Sequence, residues 1–182
     1  DAGSHANSTN YTENEGAAGE NTVGGKPVHS GGIAKGGGMI HPNMGTMRCF
    51  LTTDCAISSK MIHEALLETA KVSFNRISVD GDTSTNDTCL VLANGQAGNP
   101  EITEKNEDYA AFVEALKALC VSLARMMAKD GEGAKYLINC TVEGAKDEAK
   151  AESVSKRGIT CPLTKTAIAG CDADRGRVPG DA

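Results

Sequence analysis

Tryptophan is missing from this chain, and aromatic residues together make up only 3% of it. With 182 residues, 40% of them hydrophobic, there is enough apolar material for one globular domain. Its core has to be built from Leu, Ile, Val, Ala and Met. No stretch approaches the roughly 18 consecutive apolar residues of a membrane span, and no basic segment followed by an apolar run opens the chain, so neither a membrane location nor a secretory leader is expected. Basic clusters are also lacking. A net charge of -6 and a pI near 5.2 argue against nucleic acid, whose phosphates need grouped Lys and Arg, and in favour of a small metabolite. The seven cysteines are scattered, odd in number and contain no Cys-x-x-Cys pair. That pattern points to reduced thiols in the cytoplasm rather than to a disulfide framework or a zinc site. A phosphate-binding P-loop is excluded, because Lys35 precedes its glycines and no Gly-Lys-Ser/Thr occurs.

What is present alternates between helical and strand-like patterns. Residues 1–27, rich in Gly, Ser, Asn, Thr and Glu, have little to bury and read as low-complexity and disordered. A helix is expected from Met61 to Ala70, with Ser58 or Ser59 as its cap, and a strand-like run over Thr69 to Val79. Cys89 to Ala93 reads as a short strand closed by Asn94-Gly95. The strongest signal is a helix from Glu107 to Lys129, whose stripe of Tyr109, Phe112, Val113, Leu116, Leu119, Cys120, Leu123 and Met127 keeps a helical period. Tyr136, Ile138, Cys140 and Val142 alternate as in a half-buried strand. Lys146 to Lys156 reads as a polar helix and Pro162 to Ala169 as another strand. The fold class is α/β, with no internal repeat.

The chain turns on Ile33 to Asp54, Ile-Ala-Lys-Gly-Gly-Gly-Met-Ile-His-Pro-Asn-Met-Gly-Thr-Met-Arg-Cys-Phe-Leu-Thr-Thr-Asp. Gly36 to Gly38 let the backbone pass close to a ligand or another strand, and Pro42 stiffens the approach to Gly45-Thr46. A hydroxyl nucleophile needs a base, and threonines that serve in this way often use their own α-amine, which requires cutting the preceding peptide bond. Gly45-Thr46 is a candidate cleavage site.

These residues resemble the self-processing segment of the bifunctional glutamate N-acetyltransferase/ornithine acetyltransferase family of arginine biosynthesis. The likeness runs on through Ser73-Phe74-Asn75, Asp80 to Thr88, Leu92-Ala93-Asn94-Gly95, Asp130-Gly131-Glu132-Gly133-Ala134 and Leu163-Thr164-Lys165-Thr166-Ala167-Ile168. It spans roughly Gly31 to Arg177. It implies an incomplete layered αβ sandwich, with 28–45 as the end of an α-chain-like segment and 46–182 as a truncated β-chain-like domain. It further implies that Thr46 is freed by cleavage after Gly45 and carries acetyl from N-acetylornithine to glutamate without metal or organic cofactor. Lys35 and Glu132 then match the family's substrate-binding residues. Cleavage would give an α/β heterodimer, assembling in the family to a heterotetramer. Some members also take acetyl from acetyl-CoA, and the residues leave that open.

Other readings stand beside this one. Lys35 by itself is a surface lysine, and Asp-Gly-Glu-Gly around Glu132 is also good turn chemistry after a helix. The loop Asp80 to Asp87 fails as an EF-hand, since its sixth residue is Thr85 and its twelfth is Val91. Asp80 could instead be the carboxylate nucleophile of a haloacid-dehalogenase-like phosphatase, although no downstream Lys and acidic pair completes that set. The plainest reading is that this loop hydrogen-bonds its own backbone through Asx and Ser/Thr turns. The likeness also has departures. Gly45 stands where Ala is usual and Arg175 where Trp is preferred, while the family's Thr-Gly oxyanion hole and its C-terminal substrate residues have no match here. An inactive fragment or structural relative is therefore a third reading.

Overall fold

A computed structural model describes residues 15–36, 38–41, 47–84 and 86–172. Four strands form one sheet in the order β1-β2-β3-β4: β1 is Gly16–Val23, β2 Lys26–Lys35, β3 Arg48–Thr53 and β4 Thr88–Ala93. The first three are antiparallel neighbours, and β4 runs parallel to β3. A parallel neighbour needs a crossover, and helix α1 (Ser59–Val72) with the 3-10 turn Phe74–Arg76 supplies it. Helix α2 spans Glu107–Lys129, α3 Glu148–Thr160 and α4 Pro162–Ala169.

The core lies between the helices and one face of the sheet. Val28, Ala34, Cys49 and Leu51 point inward from the strands to meet Phe112, Leu116, Cys120 and Leu123 of α2. Each large side chain fully buried in this way contributes about 1.5–3 kcal/mol. Helix α2 keeps the boundaries and the stripe that its periodicity implied, with Val113 half-buried at its margin. Asn106 caps it by accepting the Tyr109 N–H at 2.9 Å, and Glu107 and Asp108 suit its positive end. Gly32 lets α2 sit close to the sheet. A methyl group there would lie 2.4 Å from Leu51 Cδ2 and 3.3 Å from Leu123 Cδ1.

Several expectations change. Gly16 to Pro27 is not disordered, because Gly24 and Gly25, at φ +55° and +72°, make a two-residue turn that zips β1 to β2. Residues 1–14 lie outside the described set. The run Thr69 to Val79 is not a strand, since α1 continues to Val72. Thr69 tolerates the helix because its hydroxyl donates to Ala65 O (2.9 Å) and Leu66 O (3.1 Å), while its side chain continues the buried line of Met61 and Ala65. Pro162 to Ala169 is helical, with Pro162 in the first turn, where its missing N–H costs nothing. Tyr136 to Val142 pairs with no strand among the described residues, and Tyr136 is 53% exposed. Edge strand β4 buries one face only, leaving Leu90 and Leu92 exposed beside Phe50 on the outer side of the sheet. The arrangement is an α/β layer structure with one sheet face covered. All seven cysteines are free thiols, and among the described residues no helix is long and apolar enough to cross a membrane.

Glu15, just before β1, is buried, and its backbone carbonyl accepts the Ala34 N–H at 2.9 Å. Burial pushes its carboxyl from the ordinary 4.5 up to about 7; Lys35 opposes the shift and Asp130 reinforces it. Between those two values the folded protein holds a proton that the unfolded chain has released. Stability should therefore fall as pH rises from 4.5 to 7. Glu15→Gln should flatten that fall in a series of thermal melts, and an unchanged slope would count against the assignment.

Candidate functional site

The approach to Thr46 begins where β2 ends. Lys35, its last residue, breaks the in-and-out alternation and is buried at 8% exposure. Its Nζ lies 3.7 Å from Asp130 Oδ2 at the C-terminal cap of α2, and Glu15 is close enough for its carboxyl to feel both charges. A lysine in such a place is not the solvated surface residue that sequence alone allows. Its charge is paired with Asp130, while the nearby Glu15 carboxyl is held largely protonated, and so uncharged, below about pH 7 by burial.

Two residues beyond Asp130, the exposed Glu132 sits on the turn that follows α2. Its carboxylate faces the glycine approach: a methyl group on Gly38 would be 3.1 Å from Glu132 Oε2. Lys35 and Glu132, far apart in sequence, both lie near the C-terminal end of α2, the one beside Asp130 and the other beside Gly38. Glu132 also borders a cavity of about 820 Å³ lined by Val79, Arg125, Lys135, Cys140 and Lys165 among others. Lys165 closes one side by donating to the Val79 carbonyl at 2.7 Å. Gly45 and Thr46 lie outside the described residues, as do Gly37, Pro42, Asn43 and Met44.

Carboxylates of the acidic loop hold Met39 and Ile40 before that segment and Met47 after it. Asp80 accepts the Met39 N–H at 2.5 Å and the Ile40 N–H at 3.1 Å, and its Oδ1 also accepts the Asp82 N–H at 3.0 Å. The Asp80 contacts steady Met39 in the left-handed region, at φ +53°, which a side chain adopts only with support. On the far flank Asp87 Oδ1 accepts the Met47 N–H at 2.6 Å. The loop does contain the local turns expected of it, in the Asp80 to Asp82 contact and in the Asn86 N–H donated to Ser84 Oγ at 3.2 Å. Its longer bonds, to residues some forty positions earlier, carry no local sequence signal. Because both oxygens of Asp80 accept backbone N–H groups, the carboxylate is committed to shaping the approach rather than poised to attack a phosphate. Asp130 and Asp87 lie inside the motifs quoted above, though with no role assigned to them, whereas Glu15 lies in a polar stretch that carries no motif. No group of three or more His, Cys, Asp or Glu able to hold a metal ion occurs among the described residues.

Comparison with known proteins gives this geometry a family. The model of the ArgJ family matches residues 3–180. The arginine biosynthesis bifunctional protein ArgJ of Geobacillus kaustophilus is 52% identical over 161 residues, which are 88% of this chain and 39% of that protein. The protein of the same name from Bacillus subtilis is 51% identical over 161 residues, covering 88% of this chain and 40% of its own length. The crystal structure of ArgJ from Bacillus halodurans superposes with a TM-score of 0.69 at 44% identity, over 72% of this chain and 62% of that one. The chain thus spans about two fifths of the length of these curated relatives. A match over nearly the whole sequence, with about half the residues shared, means that the chain belongs to the ArgJ family.

Proposed function

We propose that the chain is the nucleophile-bearing part of an acetyltransferase that moves acetyl from N-acetylornithine to glutamate in cytoplasmic arginine biosynthesis. The observation that supports this reading is that Lys35, beside Asp130, and Glu132, beside Gly38, both lie near the C-terminal end of α2. A buried cation and an exposed anion near one helix end suit a substrate bearing both a carboxylate and an ammonium group. In the first step the Thr46 hydroxyl adds to the Gly45 carbonyl carbon, the C–N bond breaks, and the nitrogen takes the hydroxyl proton to become the Thr46 amine. Water hydrolyses the resulting ester, leaving a Gly45 carboxylate. In the second, the freed hydroxyl attacks the acetyl carbonyl, the α-amine accepts its proton and returns it to the departing ornithine amine, and acetyl-Thr46 forms. The glutamate amine then takes the acetyl group. The scheme makes 28–45 the end of an α-chain and 46–182 the start of a β-chain, paired as a heterodimer that can assemble further.

Cleavage is read directly by intact mass. The chain should separate between Gly45 and Thr46 on incubation, and Thr46→Ala should abolish the cut. A single uncut species would favour the inactive relative.

Asp80→Asn weakens a three-donor acceptor, so it should lower the melting temperature and disturb the approach loop. It should create no loss that magnesium explains. Magnesium-dependent hydrolysis of a phosphate ester, abolished by Asp80→Asn in a folded protein, would restore the phosphatase reading.

Acetyl transfer by this chain alone should be slow, because a missing oxyanion donor costs about 10²–10³ in rate. Supplying the N-terminal part of a full-length relative should raise the rate in an assay of N-acetylornithine with glutamate. Full activity without it would mean that residues of this chain build an oxyanion site themselves.

A further inference from the structure

The inner face of the β3–β4 pair carries two thiols side by side. Cys49 is the second residue of β3 and Cys89 the second of β4, and the parallel register sets them directly opposite one another. Both belong to the face that packs on the core, Cys49 fully buried and Cys89 half-buried on the edge strand. Neighbouring strands lie about 4.8 Å apart, inside the range of about 4.4–6.8 Å that the Cα atoms of a disulfide span. The sulfurs are in hydrogen-bonding contact: Cys89, with burial, raises the Cys49 thiol, and Cys49 in turn lowers Cys89. A third thiol, Cys120 of α2, is pushed up to about 12, by burial first and then by charge on Cys89. The three do not make a metal site, since no such group occurs among the described residues.

We propose that Cys49 and Cys89 form a redox-modification site, a dithiol that a low-molecular-weight disulfide such as oxidised glutathione converts into a disulfide joining β3 to β4. The two thiols have unequal parts. Cys89 is the one that solvent reaches and the one whose thiolate is favoured, so it attacks first. Its sulfur bonds to one sulfur of the reagent, the reagent's S–S bond breaks, and one glutathione thiolate leaves. Cys49 then attacks the Cys89 sulfur, its proton passing to the second glutathione as that leaves. Two electrons have moved from the dithiol to the reagent, and one S–S bond has replaced another. The edge position helps, because β4 has a neighbour on one side only and can part locally to admit the reagent. Cys120 acts on the pair through charge alone, which leaves Cys49 as the resolving partner. The bond would close the chain around α1 and fasten the edge strand to the interior of the sheet.

The test is oxidation of the folded chain with oxidised glutathione, followed by N-ethylmaleimide in denaturant and peptide mass spectrometry with fragmentation to locate each modified cysteine. A peptide pair joined through Cys49 and Cys89, lighter by two hydrogens than its reduced parts, should appear, and dithiothreitol should restore both thiols. The exposed Cys140 and Cys171 should take up glutathione singly. In Cys49→Ala nothing resolves the first adduct, so Cys89 should keep its glutathione. In Cys89→Ala the buried Cys49 should stay reduced. Cys49 and Cys89 both recovered as maleimide adducts, after Cys140 and Cys171 have reacted fully, would overturn the inference. So would a Cys89–Cys120 bond in place of Cys49–Cys89, or a Cys49–Cys89 bond that forms only after unfolding in guanidinium. The wild-type map stands by itself should either variant fail to fold.

Discussion

Burying the apolar stripe of α2 against β1 and β2 is the constraint that places everything else. A helix of 23 residues is about 34 Å long, so once its stripe is seated, the position of its last turn is no longer free. Gly32 sets the depth of that seat by letting Leu51 and Leu123 close over the strand. The far end of the helix then delivers Asp130 to Lys35 and Glu132 to the glycine approach. A polar site is thus located by an apolar fit, and no polar contact within it has to find its own place.

Around that end, charge is used for backbone geometry as much as for recognition. Asp80 and Asp87 stand at either end of one loop and hold Met39, Ile40 and Met47, so the ends of the intervening segment are tied to a common support. Lys35 is handled differently. Taking an ammonium out of water is costly unless it is balanced, and Asp130 provides a partner 3.7 Å away.

Elements were legible in the sequence where one physical signal dominated. The stripe, cap and end charges of α2 all agree, and so its boundaries could be read without a structure. Lys35 and Glu132 stand out only through the motifs around them, since nothing local says that both lie near the end of α2. The errors came where signals competed. Val72, Phe74 and Ile77 suggest a strand, yet Val72 ends α1, inside which the Thr69 hydroxyl is satisfied. Pro162 opens a helix rather than a strand. The polar composition of Gly16 to Pro27 hid a Gly-Gly hairpin whose strands gain order mainly from their ladder. The grips of Asp80 and Asp87 on distant backbone could not be seen at all, because hydrogen bonds between segments forty residues apart leave no periodic trace.

The place of β3 within the sheet has a bearing on continuity of the chain. It is an interior strand, paired with β2 on one side through six residue pairs and with β4 on the other. A break in the covalent backbone between Ile40 and Met47 would sever none of those ladder bonds. The hairpin β1–β2 would stay zipped to β3 as a separate polypeptide, and two fragments would persist as one folded body. Connectivity and integrity are decoupled at this point, as in a nicked duplex whose strands remain annealed.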